Sequence, residues 1–199
     1  VLAQGEILSG KVITHLLNKR GIEANFVDAR ILLKTNNQFG EALLFESVSK
    51  ENVVEHFRLN NGNAIQIITG FIASNLNGET TTLGRNGSNY TASLLANFLN
   101  AEEFQNYTHV NGIYTANPDL VENSKKIEKL SYQEANEMAN FGANILHAKT
   151  IIPLIEKNIP LRILNTFDPE NPGTLIGSES EKGGIKLLSV QEDVALVNL

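Results

Sequence analysis

The stretch 64–99 restricts the fold most, because three kinds of segment follow one another there without interruption. Residues 64–71, AIQIITGF, form a short and nearly continuous apolar run, which is typical of a strand in a parallel sheet covered on both faces. A loop rich in Gly and hydroxyl residues follows, and then Ala92, Leu95 and Phe98 recur at helical spacing. The order strand, loop and helix predicts a βα unit and therefore an α/β protein.

The same alternation continues on both sides of this unit. Apolar runs predict strands over 22–29, 104–110 and 160–165, and helical spacing predicts helices in the segments between them. Alternating strands and helices favour right-handed crossovers between parallel strands. The expected fold class is therefore α/β, with a mainly parallel sheet sandwiched by helices in three layers.

Residues that favour helix ends mark several boundaries. Ser9 is predicted to cap the first helix, whose apolar face is formed by Val12, Ile13, Leu16 and Leu17. The pattern Ser131-x-x-Glu134 is a capping box and predicts a second helix boundary. A further helix is expected to begin near Thr150 with Pro153 in its first turn, where proline is tolerated.

A short basic turn precedes the helix of the first unit and has the composition of an anion site. Gly84 and Gly87 permit backbone angles that other residues resist, and Arg85 adds a planar positive group. Ser88 or Asn89 is predicted to cap the helix, whose first N–H groups attract a phosphate or carboxylate. The alternative is an ordinary loop-to-helix junction, and neither the P-loop pattern nor the dinucleotide fingerprint is present here.

Composition excludes several classes of function. The 199 residues contain no Cys, so disulfides, thiolate metal sites and a Cys nucleophile are excluded. The formal net charge of −6, without a Lys/Arg run, argues against a nucleic-acid partner. No apolar run reaches membrane-spanning length, and the four His residues form no i,i+4 pair, so neither a membrane nor a metal site is expected. We expect a cytoplasmic protein.

Two loops are expected at the carboxyl ends of strands, where ligands of parallel sheets bind. These are 78–88 and 108–118, and we expect them to line one cleft. Near the end of the chain, residues 177–184 have the composition of a linker. The following segment, 185–199, is strand-like but too short to bury a core of its own, so we expect it to be the first strand of a further domain.

Together the loops resemble those of the aspartate kinases in the amino acid kinase family. The matching pieces span about 170 residues in the family's order; they are Gly5-Glu6 with Ser9, GFIASNLNGETTTLGRNGS (70–88), YTHVNGIYTANP (107–118), SYQEANEMANFGANILHAKT (131–150) and NTFDPENPGTLIG (165–177). The form GRNGS is most similar to bifunctional aspartokinase–homoserine dehydrogenases. Nothing in the chain matches the family's opening Lys-Phe-Gly-Gly. The resemblance therefore implies that 1–176 is the carboxyl-terminal two-thirds of a kinase domain, with an ACT-like regulatory strand at 185–199.

The resemblance also implies roles for individual residues. The substrate L-aspartate would be bound by Glu6, Arg85, Asn86, Gly87 and Ser88. The nucleotide would be approached by Thr108, His109, Asn111, Gly112, Tyr114, Asp119 and Asn144. Asn89 stands at the position of the family's catalytic Asp. The alternatives are a solvated helix-start acid for Glu6, core packing for Tyr114 and a polar loop residue for His109.

Several of these positions depart from the family's pattern. Asn89 replaces an Asp, His109 and Asn111 stand in a Thr-Asp-Val-Asp-Gly motif, Asn144 replaces a Lys, and Asp119 stands where an Arg is common. The nucleophile would be the β-carboxylate of the substrate, which is ionised at neutral pH, so no general base is needed. We therefore expect altered nucleotide affinity more than loss of catalysis.

The function that the resemblance implies is that of a larger parent enzyme. The parent would transfer the γ-phosphate of ATP, bound with Mg²⁺, to the β-carboxylate of L-aspartate, on the route to threonine, lysine and methionine. An amino-acid feedback inhibitor, a homo-oligomer and, if a dehydrogenase domain follows, NADP are expected with it, and the chain alone would transfer phosphate poorly or not at all. Two alternatives are a non-catalytic domain that binds an amino acid or forms a dimer scaffold, and a kinase acting on glutamate or a nucleotide.

Overall fold

The structure is a computed structural model that describes residues 2–117, 120–140 and 147–180. The chain divides into two compact units, with the boundary between Asn100 and Ala101. Among the described residues, no helix combines the length and the apolar character needed to cross a bilayer.

The first unit contains four helices and five strands. The helices are α1 Leu2–Lys19, α2 Ala29–Leu32, α3 Glu46–Leu59 and α4 Gly87–Leu99, and the strands are β1 Ala24–Val27, β2 Lys34–Thr35, β3 Ile65–Ile68, β4 Ile72–Asn75 and β5 Thr80–Thr82. Strands β1 and β3 form a parallel pair, and β2, β4 and β5 form a three-stranded sheet in that order. The pair β2–β4 is parallel and the pair β4–β5 is antiparallel.

Helix α1 begins earlier than the sequence predicts. Ser9 lies inside the helix, so the prediction that it caps the amino end is wrong. The side of the helix that packs on β1 and β3 is also different, because the buried residues are Ala3 and Gly10. A Cβ atom at Gly10 would lie 2.7 Å from Cε2 of Phe26, so the absent side chain allows the helix to approach the strand closely. Of the predicted apolar face, Val12, Ile13 and Leu16 are exposed. Leu17 is half-buried.

The apolar run 64–71 forms one strand and the turn that follows it. Its first part forms β3, which pairs with β1 in parallel from Ala24–Ile65 to Val27–Ile68, so the parallel strand is confirmed. Ile65 is 49% exposed, however, and the expected cover on both faces is not seen for this residue. After the turn at Gly70 and Phe71 the chain continues as β4, which is buried along its whole length.

The loop predicted over 78–88 contains a strand. Thr80–Thr82 pairs with β4 as a hairpin, so the prediction of a continuous loop is wrong. The polar side chains of this segment allow either state, and the pairing with β4 decides in favour of a strand. The hydrophobic core of the unit is formed by Val27, Leu32, Leu33, Val53, Ala73, Leu83, Leu94 and Phe98.

The described residues of the second unit form six strands and two helices. The strands are β6 Phe104–Thr108, β7 Ile113–Tyr114, β8 Lys126–Ile127, β9 Lys129–Ser131, β10 Leu161–Asn165 and β11 Thr174–Gly177, and the helices are α5 Tyr132–Asn140 and α6 Ala148–Lys157. Four strands form one sheet in the order β6-β10-β11-β9, in which only the β10–β11 pair is antiparallel. The antiparallel pair β7–β8 stands apart from it. In both units parallel pairs join strands that are distant in sequence, which confirms a mainly parallel α/β fold.

Helix α5 begins at its predicted capping box, and helix α6 begins at Ala148, two residues before the predicted start near Thr150. The Ser131 N–H donates to Oε2 of Glu134 at 2.7 Å and the Glu134 N–H donates to Oγ of Ser131 at 3.2 Å, so the capping box is confirmed. Helix α6 is capped by His147, whose Nδ1 accepts from the Lys149 N–H at 3.3 Å. Pro153 therefore lies in the second turn, and its prediction in the first turn is wrong.

The end of the described chain contains a strand that the sequence did not predict. Strand β11 pairs with β10 and β9 and extends to Gly177, the first residue of the predicted linker. The segment 185–199 lies outside the described residues. The predicted boundaries of the kinase region, linker and regulatory strand remain predictions.

Candidate functional site

A cavity of about 380 Å³ in the first unit contains all six predicted aspartate-binding and catalytic positions. Its lining residues are Glu6, Phe71, Gly84, Arg85, Asn86, Gly87, Ser88 and Asn89. Cavities of this size hold small ligands. The structure therefore brings together residues of α1 and of the turn before α4, which are about 80 positions apart in sequence.

The turn that precedes α4 is closed by one backbone hydrogen bond. The Gly87 N–H donates to the carbonyl oxygen of Gly84 at 3.0 Å, and Arg85 and Asn86 lie between them. Asn86, with φ 57° and ψ 24°, occupies the N-cap position, so the prediction that Ser88 caps the helix is wrong. An Asn side chain tolerates this left-handed conformation better than most others do.

The same correction applies to Asn89, which lies in the first turn of α4 and not at its cap. The first described helical bond of the cap runs from the Tyr90 N–H to the Asn86 carbonyl oxygen at 3.0 Å. Among the described residues, nothing accepts a hydrogen bond from the amide N–H of Ser88 or of Asn89. The helix therefore presents two donors and the positive end of its dipole to the cavity.

Charge in the cavity is of both signs. Arg85 is exposed and makes no salt bridge with a described residue, so its five N–H donors are available to a ligand. Glu6 is half-buried on α1 and likewise has no described hydrogen-bonding partner. A guanidinium and two amides suit a carboxylate, and the Glu6 carboxylate suits an ammonium group. The arrangement fits a zwitterion such as an amino acid.

Two glycines hold this turn close to the neighbouring strands. A Cβ atom at Gly70 would lie 2.7 Å from Cβ and 2.8 Å from Cα of Ser88. A Cβ atom at Gly87 would lie 2.8 Å from Cδ2 of Phe71, and the reason for glycine there is space and not the backbone angle that the sequence suggested. The start of α4 is thus fixed by direct contact with residues 70–71.

Phe71 is a lining residue that sequence reasoning missed. Its φ of 67° lies in the left-handed region, which is strained for a bulky residue. Two hydrogen bonds hold it there, because its N–H donates to Oγ1 of Thr91 at 3.2 Å and its carbonyl oxygen accepts from the Leu83 N–H at 2.9 Å. Nothing in a Gly-Phe pair signals this conformation, since glycine is the residue expected to adopt it.

Four of the predicted nucleotide residues lie in the second unit at the carboxyl ends of β6 and its neighbour β10, and these are Thr108, His109, Asn111 and Gly112. These strands pair in parallel up to Asn165–Thr108. The side-chain Nδ2 of Asn165 donates to Oδ1 of Asn111 at 2.6 Å, which ties the loop after β6 to the end of β10. The Oγ1 of Thr108 accepts from the Val110 N–H at 2.9 Å. The loop 108–112 is therefore ordered by side chains that face the strand ends.

Gly112 allows the loop to turn sharply into β7. Its φ of 123° favours glycine, and a Cβ atom there would lie 2.5 Å from Oγ1 of Thr174. That hydroxyl is fully buried, accepts from the Ile113 N–H at 2.8 Å and donates to the Ile127 carbonyl oxygen at 2.6 Å. The Thr174 hydroxyl thus links the start of β11 to β7 and β8. Thr174 is a second residue that the sequence did not single out.

The exposure of the predicted nucleotide residues varies. His109 is exposed on the loop and Tyr114 is half-buried on β7. Asp119 and Asn144 lie outside the described residues. The prediction that the loops 78–88 and 108–118 line one cleft stays a prediction.

One strong ion pair lies at the other end of the same strands. Arg162 near the start of β10 donates from Nε and Nη2 to the Glu103 carboxylate, with Nη2 2.9 Å from Oε2. The hydrogen bond from Arg162 holds the pKa of the Glu103 carboxyl below its usual value, and the same bond raises the pKa of Arg162. This pair joins β10 to the residue before β6 at the amino ends of the two strands. The guanidinium of Arg162 is therefore not available at their carboxyl ends. In the described part of the chain, no three His, Asp or Glu side chains are placed to hold a metal ion.

Comparison with known proteins agrees with this geometry. Residues 1–165 match the family model described as the amino acid kinase family. The lysine-sensitive aspartokinase 3 of Escherichia coli K12 is 36% identical over 202 residues, which cover 100% of this chain and 44% of that protein. The chloroplastic bifunctional aspartokinase/homoserine dehydrogenase 2 of Arabidopsis thaliana is also 36% identical, over 100% of this chain and 22% of that protein.

The structural comparison gives the same assignment. The crystal structure of E. coli aspartokinase III in complex with aspartate and ADP, in its R-state, superposes with a TM-score of 0.83 and 39% identity. The match covers 89% of this chain and 40% of that one, so the chain spans less than half the length of these aspartokinases. Equal identity to a monofunctional and a bifunctional relative gives no preference between the two.

Proposed function

The chain belongs to the amino acid kinase family, and we propose that it forms part of an aspartate kinase. The reaction would be the ATP-dependent phosphorylation of the β-carboxylate of L-aspartate. The observation that carries the proposal is the cavity in the first unit, because it combines a cation, two unpaired helix amides and a carboxylate. A glutamate or nucleotide kinase is less well supported, since the E. coli and A. thaliana relatives described above, which are matched over the whole chain, are an aspartokinase and a bifunctional aspartokinase/homoserine dehydrogenase.

Binding in the cavity would use charge complementarity. Arg85 and the amides of Ser88 and Asn89 would bind a substrate carboxylate, and Glu6 would accept a hydrogen bond from the α-ammonium group. Each charge-assisted hydrogen bond of this kind contributes about 1.5–3 kcal/mol. Gly70 and Phe71 would keep the donors in place by direct contact with the turn.

The chemical step needs no proton transfer by the protein. A β-carboxylate oxygen, ionised because its pKa is about 4, attacks the γ-phosphorus of ATP. The P–O bond to the β-phosphate breaks, ADP leaves, and an aspartyl phosphate forms. The protein supplies position and charge neutralisation, and Mg²⁺ accompanies ATP as part of the substrate, with phosphates and water as its main ligands.

The second unit would bind the nucleotide. Thr108 ends β6, and the other candidates lie on the loop and strand that follow it, namely His109, Asn111, Gly112 and Tyr114. The hydrogen bond from Asn165 to Asn111 holds this loop against the end of β10. Asp119 and Asn144 are further candidates from the sequence alone. Asn89 would orient the transferring phosphate through its amide, without the charge that a carboxylate would add.

The surrounding biology follows the family as a set of proposals. The product would enter the route to threonine, lysine and methionine, in the cytoplasm. One relative is named for its sensitivity to lysine, which supports feedback by an amino acid. A homo-oligomer is also proposed, and NADP would be used only if a homoserine dehydrogenase domain belongs to the same protein.

The proposal is tested by trapping the acyl phosphate with hydroxylamine in the intact protein that carries this chain. We expect hydroxamate to form with ATP and aspartate, not with glutamate, and to fall at least tenfold in Arg85→Ala. Arg85→Lys, which keeps the charge but loses the planar fork, should retain more activity. Absence of product in the wild type, with product restored by Asn89→Asp, would instead favour the non-catalytic alternative.

A further inference from the structure

We propose that Lys126 binds the phosphate groups of the nucleotide in the second unit. The proposal rests on the proposed function, because it takes the loop after β6 to be the nucleotide site. It adds a residue that the sequence did not single out. It also identifies the source of positive charge for a polyphosphate on this side of the molecule.

The position of Lys126 follows from the pairing of two short strands. In the antiparallel pair β7–β8, Tyr114 lies directly opposite Lys126. Side chains at directly opposite positions project from the same face of the pair, with Cβ atoms about 4.5–5.5 Å apart. Lys126 therefore projects from the same face of the pair as the half-buried Tyr114, one of the predicted nucleotide residues.

A chain of hydrogen bonds holds the ammonium group in place. Nζ of Lys126 donates to Oδ1 of Asn171 at 2.7 Å, and the same oxygen accepts from the Gly173 N–H at 3.1 Å. Nδ2 of Asn171 donates to Oδ2 of Asp168 at 3.2 Å, which orients the amide. Lys126 is thus positioned by a neutral amide oxygen and keeps two N–H donors for other partners.

The charge of this lysine is not balanced by a neighbouring acid. No carboxylate of a described residue lies within salt-bridge distance of Nζ of Lys126. The side chain is half-buried, and a partly desolvated cation without a counter-ion gains most from an anionic ligand. The group is therefore suited to a bound phosphate more than to a structural ion pair.

The same hydrogen-bond chain leads to the strand ends. The Asp168 N–H donates to the Asn165 carbonyl oxygen at 3.4 Å, and the Asn165 side chain donates to Asn111 at 2.6 Å. Lys126, the loop 108–112 and the end of β10 therefore belong to one ordered region within the second unit.

Few other cations are available there. The sequence from Phe104 to Ser124 contains no Lys or Arg, and Arg162 is bound to Glu103 at the amino ends of the strands. Lys125 is exposed and, as the neighbour of Lys126 along an extended chain, projects from the opposite face. A nucleoside di- or triphosphate at this loop would meet Lys126.

The test compares three variants of the full chain by isothermal titration with ADP and with adenosine. Lys126→Met should weaken ADP binding roughly 10- to 100-fold, which is the effect of losing a charge-assisted hydrogen bond of about 1.5–3 kcal/mol. Lys126→Arg should recover most of the affinity. Lys125→Met removes the same charge from the next position and should change ADP affinity less than about twofold, in keeping with an exposed charge.

Adenosine separates a phosphate contact from a structural effect. It lacks phosphates, so its affinity should be equal in the wild type and in Lys126→Met. The proposal is overturned if Lys126→Met binds ADP as the wild type does, if Lys125→Met is weakened as much, or if adenosine loses the same factor. If the wild type binds aspartate but no ADP, the nucleotide site of the proposed function is itself wrong, and this inference fails with it.

Discussion

Replacing Gly70 by Ala tests whether close contact between two segments builds the candidate aspartate site. An alanine Cβ would lie 2.7 Å from Cβ and 2.8 Å from Cα of Ser88, whereas carbon atoms prefer about 3.5–4.0 Å. Both Ser88 atoms are fixed by the backbone of α4, so rotation of a side chain cannot relieve the contact. The start of the helix must move by roughly 1 Å relative to residue 70.

This displacement has two expected consequences of measurable size. Overpacking of a filled site costs about 1–3 kcal/mol, so the free energy of unfolding by urea should fall by that amount. The amides of Ser88 and Asn89 move away from the cavity, and loss of one charge-assisted hydrogen bond of about 1.5 kcal/mol weakens aspartate binding about tenfold. Isothermal titration with L-aspartate measures the second effect.

Gly62→Ala is the matched control. No atom lies within 4 Å of a Cβ built at Gly62, and its φ is not in the left-handed region. The same chemical change should therefore leave stability and aspartate affinity close to those of the wild type, or raise stability slightly through the unfolded state. If Gly70→Ala behaves like Gly62→Ala in both measurements, the start of α4 is not held by this contact and the reasoning is refuted.

Two further predictions concern the second unit. Thr174→Val removes a buried hydroxyl that makes two hydrogen bonds, so the free energy of unfolding by urea should fall by about 1–3 kcal/mol. Thr174→Ser keeps the hydroxyl and should retain most of the stability. Equal stability of the two variants would contradict the role of the hydroxyl. Arg162 lowers the pKa of the folded Glu103 carboxyl below its usual value of 4.5. The pair therefore stabilises the fold at any pH above 4.5, and this stabilisation is lost as the pH falls through the lowered pKa. Glu103→Gln should therefore be less stable than the wild type at pH 7 and converge with it in acid, while exposed Glu102→Gln should show no such convergence, and parallel pH profiles for Glu103→Gln and the wild type would count against the linkage.

Local sequence signals were sufficient to predict those features that depend on interactions between residues close together in the chain. The capping box at Ser131 and Glu134 specifies both ends of its own hydrogen bonds, and the structure forms it as predicted. Apolar runs identified β1, β3, β6 and β10, which form the parallel pairs β1–β3 and β6–β10. The composition of the turn Gly84–Gly87 indicated an anion site by itself, whereas Glu6 was identified only through the resemblance to aspartate kinases.

Other features depend on contacts between distant residues and could not be predicted. The segment Thr80–Thr82 becomes a strand only because β4 lies beside it, and Thr174–Gly177 only because β9 and β10 flank it. Phe71 adopts a left-handed conformation that its own side chain disfavours, and bonds to Thr91 and Leu83 hold it there. These interactions are tertiary, and their partners lie 12 or more residues away for Phe71.

The start of α1 shows a different limit. Ser9 is a good N-cap residue, but the apolar pattern continues before it, and helix propagation costs little once a nucleus exists. The buried side of α1 is set by small residues, Ala3 and Gly10, which allow close approach to β1 and β3. Hydrophobic periodicity gives most weight to the large apolar side chains of α1, so it predicted burial of the face that carries Val12, Ile13 and Leu16 and missed the contact at Gly10.

Titration of the ¹⁵N-labelled chain with L-aspartate tests the central claim most directly, because it observes the two amides at the start of α4. The account predicts saturable shifts of the Ser88 and Asn89 amide signals, with smaller shifts on titration with glutamate, and loss of both responses in Arg85→Ala. Shifts that avoid these two amides, or that persist unchanged in Arg85→Ala, would show that the cavity does not bind aspartate in the way proposed.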